Sequence, residues 1–132
     1  MEPKMSYGYF RILKDDFNQI DQRIRETLVE NGFGVVTEID VRQTMKNKLD
    51  VEFKPYKILG ACNPQFAHQA LTLEPDIGLL LPCNVIIEDN QDGTVRVGAI
   101  DAEKMLDITG REDLIGFAKE VNILLKKSID TI

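Results

Sequence analysis

At 132 residues the chain has the length of one domain, enough to bury a core without disulfide or metal staples. Its 43% apolar and 29% charged residues are ordinary for a globular protein, and a net charge of −6 argues against a nucleic-acid partner. No apolar run approaches the roughly 20 residues of a membrane span, the first residues lack a hydrophobic signal region, and two cysteines are too few for a disulfide scaffold. The expectation is a single domain over 1–132, soluble and cytoplasmic, with neither nucleic acid nor membrane as partner.

Taken in order, Met5 to Leu13 is mixed apolar and aromatic and suits a first strand, where Gly8 marks a weak point or a close approach. Asp16 and Gln19 have the spacing of a capping box, and Phe17, Ile20, Ile24 and Leu28 recur at steps of three and four. That helix should stop at Asn31-Gly32. Phe33 to Ile39 reads as a second strand. Asp40 with Gln43 opens a short helix whose Val41, Met45 and Leu49 share a face, and polar residues 50–54 read as a loop.

Tyr56 to Ala61 is the third strand. At Cys62-Asn63-Pro64 a strong N-cap residue precedes a proline at the first helical position, so a helix begins there and stops before Pro75. Phe66, Ala67, Ala70, Leu71 and Leu73 define its inward face, and at 100° per residue His68 lies opposite. Leu79 to Leu81 is apolar, and Pro82 marks an edge, a bulge or a bend. Asp89 to Gly93 is turn chemistry between two strands, making 83–100 a hairpin. Asp101 caps a short helix. A last helix from Glu112 carries Leu114, Ala118, Val121, Leu125 and Ile129 on one stripe. The hairpin forces antiparallel pairing and favours α+β over a parallel sheet.

Residues 56–88 hold both cysteines, the lone histidine and three of the five prolines. Within them, Gly60-Ala61-Cys62-Asn63-Pro64, then Ala70-Leu71, Pro75 and Leu80-Leu81-Pro82-Cys83-Asn84-Val85, resemble domain-of-unknown-function family 302. The resemblance covers most of the chain. It implies an α+β fold similar to the TATA-binding-protein class, a mostly antiparallel sheet with helices on one face, and a homodimer. It implies no activity, and His68 matches none of its motif positions.

The residues themselves support several readings of this region. Cys62, just outside a helix N-terminus, and Cys83, after a proline, could form a thiol redox or sulfur-handling pair. Cys62, His68 and Cys83 have ligand chemistry suited to zinc or copper, yet match no standard metal spacing and lack a fourth ligand. As a binding module, the chain would use the Asn63-Pro64 helix start and the Asn84 amide for a small ligand. Both cysteines could equally be small buried hydrophobes, with Asn and Pro as cap and bend. Any binding site is expected around Cys62, Asn63, Pro64, Cys83 and Asn84. No nucleophile elbow, P-loop or His-Glu-x-x-His is present, so the residues specify neither an enzyme class nor a cofactor.

Overall fold

The structure, a computed structural model, describes residues 6–132. Strand β1 (Gly8–Leu13) leads into helix α1 (Phe17–Glu30), where the Asp16 carboxylate accepts from the Gln19 N–H at 3.2 Å. Met5, expected to start the strand, lies outside the described residues. At the far end of α1, Gly32 turns the chain at φ 88°, the left-handed region that glycine enters without steric cost. The Phe33 N–H then donates back to the Leu28 carbonyl and the Gly32 N–H to that of Val29, the two bonds of a Schellman end. This closure aims Phe33 into the core, 2% exposed.

Strands β2 (Gly34–Asp40) and β3 (Tyr56–Cys62) bracket helix α2 (Val41–Leu49), and helix α3 (Pro64–Leu73) follows β3. A 3-10 segment, Pro75–Leu80, comes next, so the apolar run Leu79 to Leu81 does not lengthen a strand; Leu79 is exposed. Leu81-Pro82 is cis, and the bend there opens the hairpin of β4 (Cys83–Asp89) and β5 (Val95–Ile100). Helix α4 (Ala102–Asp107) and helix α5 (Ile115–Asp130) complete the chain, with residues 112–114 forming a 3-10 turn ahead of α5.

The five strands form one antiparallel sheet in the order β1-β5-β4-β3-β2. Because side chains alternate along a strand, Leu59, Ala61, Cys83, Val85, Ile87, Val95, Val97 and Ala99 all enter the core from one face. There they meet Ile20, Ile24 and Leu28 of α1 and Ala118, Val121, Leu125 and Ile129 of α5. The expected α+β fold, an antiparallel sheet with its helices on one face, is what the chain forms. Helix α2 is the exception to the stripe logic, since it buries none of its residues.

Two polar devices hold layers in register. Asp21 of α1 accepts from Arg25 at 2.7 Å and from Lys57 of β3 at 2.8 Å, while Arg25 also reaches Glu38 of β2 at 2.6 Å. Burial alone would raise the Asp21 carboxyl, but these hydrogen bonds outweigh it and hold the group below the ordinary carboxylate range. At the other end, Asn122 of α5 accepts from the Ala102 N–H at 2.7 Å and donates to Asp101 at 2.9 Å, fixing the start of α4.

Candidate functional site

The chain's most distinctive stretch builds one end of the sheet. Strand β3 ends at Cys62, and the Asn63 side chain caps α3 by accepting from the Phe66 N–H at 3.4 Å, with Pro64 in the first helical position. Helix α3 then passes over the end of the sheet and returns through the 3-10 segment to Cys83, whose backbone pairs opposite Ala61. Between α3 and the strand ends lies a cavity of about 260 Å³.

Its walls come from every neighbouring element. Ala61, Cys62 and Cys83 meet it from the sheet, Phe66, Ala67, Ala70 and Leu71 from α3, Ala102, Met105 and Leu106 from α4, and Phe117 and Val121 from α5. Phe33 enters from the Schellman end of α1. Val36 reaches it because the β2–β3 register slips between Val35 and Thr37, leaving Val36 as the extra residue of a bulge, and bulges re-aim side chains. The same slip explains Gly60: a Cβ there would lie 2.0 Å from the Thr37 hydroxyl and 2.6 Å from the Pro82 ring. Glycine lets β3 pass beneath Pro82 and carries Cys62 and Cys83 to one cavity.

The five expected site residues divide in position. Cys62, Asn63 and Cys83 line the cavity, Cys62 half-buried and Cys83 7% exposed, both as free thiols. Pro64 sits exposed in the first turn of α3, outside the lining. Asn84 is exposed as well, on the opposite face, because it is one residue from Cys83 on a strand. Burial, and to a lesser extent the nearby Cys62, pushes the Cys83 thiol up to about 11. His68 is exposed on the outer side of α3, as its helical position predicts, and among the described residues no group of three or more His, Cys, Asp and Glu is placed to hold a metal ion.

Phe33, Val36, Met105 and Phe117 belong to the site beyond the residues its motifs mark. Phe117 had a signal: it lies three residues after Leu114 and four before Val121, on the inner stripe of α5. Its ring meets that of Phe66 edge to face, with centroids 6.4 Å apart. Val36 had none, because a bulge follows from strand pairing rather than from local sequence. Arg111 secures the far end of α3, donating to the Leu73 carbonyl and, at 3.2 Å, to Glu74.

Comparison with known proteins agrees with this architecture. A crystal structure of an uncharacterized conserved protein DUF302 from Bacillus stearothermophilus superposes with a TM-score of 0.88 at 25% identity, covering 96% of this chain and 98% of that one. A protein of Aquifex aeolicus (strain VF5), described as uncharacterized, is 33% identical over 82 residues, 61% of this chain. That match spans 56% of the relative's own length. Among the described residues no helix is long and apolar enough to cross a membrane. The family model described as Domain of unknown function DUF302 matches residues 10–132, and the chain belongs to that family.

Proposed function

We propose that the chain is a small-ligand-binding domain, working as a cytoplasmic homodimer, whose ligand lies in the cavity between α3 and the Cys62 and Cys83 ends of β3 and β4. One observation carries this reading. Of the 18 side chains lining the cavity, Asn63 alone bears an oxygen or nitrogen, and its oxygen is already engaged by the Phe66 N–H. A buried water needs about two to four polar partners, whereas an apolar cavity of about 150 Å³ stays dry and accepts benzene. A space of about 260 Å³ whose one polar side chain has only its amide N–H groups left to offer therefore favours a somewhat larger apolar body over water.

The test is calorimetric titration with naphthalene and short alkyl probes, on the natural chain and on Ala67→Phe, which fills the cavity from α3. Saturable binding that weakens at least about tenfold in the variant, with the unfolding transition kept, is expected. No saturable binding by the natural chain, or equal binding by the variant, would overturn the reading.

Thiol redox or sulfur handling by Cys62 and Cys83 is the second reading, supported by both sulfurs fronting one cavity. The burial that keeps Cys83 protonated opposes it, since the thiolate is the reactive form. Metal binding has less support still, because His68 points away. The homodimer is favoured by the other face of the sheet, which carries Phe10, Ile12, Ile39, Ile58 and Ile86; Ile12 is 62% and Ile39 49% exposed. Free thiols suit the reducing cytoplasm.

A further inference from the structure

We infer that the ligand is a cationic amphipath, its apolar body in the cavity and an amine-type head in the groove on the other side of Phe66 and Phe117. The inference rests on the cavity reading and adds the chemistry of the ligand's second end. A groove of about 470 Å³ runs between α3 and the start of α5, and the same two phenyl rings line both it and the cavity. A molecule lying across that shared wall has one end among apolar side chains and the other among polar ones. The polar lining is Gln65 and Gln69, one turn apart on α3, with Asp113 and Glu120.

Charge decides which head fits. No lysine or arginine lines the groove. Asp113 is spent, since Arg111 donates to its two oxygens at 3.0 and 2.5 Å. Glu120 has no ion-pair partner among the described residues, so it leaves the groove with a net negative charge. A carboxylate or phosphate head would meet repulsion there without a compensating cation. An ammonium head would meet one free carboxylate and two amide oxygens able to accept its N–H bonds. Its gain is modest because the groove is wet: about threefold, falling with added salt.

Four probes that share an apolar body or lack a head separate this from the parent reading. Naphthalene, octanol, octylamine and octanoate are titrated into the natural chain, Glu120→Gln and Glu120→Lys, at low and moderate salt. Octylamine is expected to bind about threefold tighter than octanol, with octanoate weakest. Glu120→Gln should bring octylamine to the level of octanol and leave octanol and naphthalene unchanged. Glu120→Lys should reverse the order of amine and carboxylate. Glu120 is exposed, so neither change touches the core. If naphthalene and octanol bind while the amine and the carboxylate bind alike, or if Glu120→Gln leaves octylamine unchanged, the cationic head is wrong and the cavity reading stands. If none of the four binds, both fall.

Discussion

Cys83 and Asn84 are neighbours in sequence and lie on opposite faces of the same strand. Cys83 points into the core and its thiol is held up to about 11 by burial, with Cys62 adding to the effect. At pH 8 about one Cys83 in a thousand would then be thiolate, so alkylation should run at least about a hundredfold slower than for a free cysteine and rise steeply toward pH 11. The fold favours the neutral thiol, which fixes the sign of the stability effect. Its contribution is present below about pH 9, the ordinary thiol range, and is lost as pH rises through 11, about 2–3 kcal/mol at most. Cys83→Ala should flatten that alkaline limb in denaturant titrations. Rapid labelling of Cys83 at pH 8, resolved by peptide mass spectrometry, would show that the sulfur is not buried in solution.

Among the elements, α3 and α4 form two walls of the cavity, and each is fastened by side-chain hydrogen bonds at its ends. Asn63 caps the start of α3 and Arg111 holds its end. For α4 the fastening is Asn122, whose amide accepts from the Ala102 N–H and donates to Asp101, itself the cap of that helix. Asn122→Ala would leave the buried Ala102 N–H without its partner, at a cost of about 1–3 kcal/mol. Because Ala102, Met105 and Leu106 line the cavity, the variant should also weaken binding of naphthalene. Unchanged stability in urea would mean that water replaces the amide. Most helix boundaries here were legible because capping is local chemistry: Asp16, Asp40, Asn63 and Asp101 each cap the helix expected from their spacing. The bulge at Val36 was not legible, since it is a relation between two strands distant in sequence.

For the whole molecule, one face of the sheet packs on the core helices, and the other, more open face carries Phe10, Ile12, Ile39, Ile58 and Ile86. Arg96 lies 4.0 Å over the Phe10 ring on that open face and pairs with Glu88 at 3.1 Å, amid isoleucines that water would otherwise meet. If two copies cover this face mutually, sedimentation should give twice the 15.0 kDa chain mass. Ile86→Lys, central and half-buried on β4, should then return a folded monomer, because a charge in an apolar interface is costly to desolvate. A natural chain that stays monomeric at high concentration would refute this use of the face.

Periodicity and caps determined the elements, and the turn at Asp89 to Gly93 determined that at least two strands run antiparallel, because those signals act over a few residues. The alternation of β4 likewise contained the opposite facing of Cys83 and Asn84. Only the tertiary structure decided that β3 lies beside β4, that the Gly60 passage brings Cys62 and Cys83 to one apolar cavity, and that Phe66 and Phe117 line both it and the groove of Asp113 and Glu120. Those relations join residues far apart in the chain, Cys62 with Cys83 and Phe66 with Phe117. They depend on strand order and packing, which no local pattern encodes.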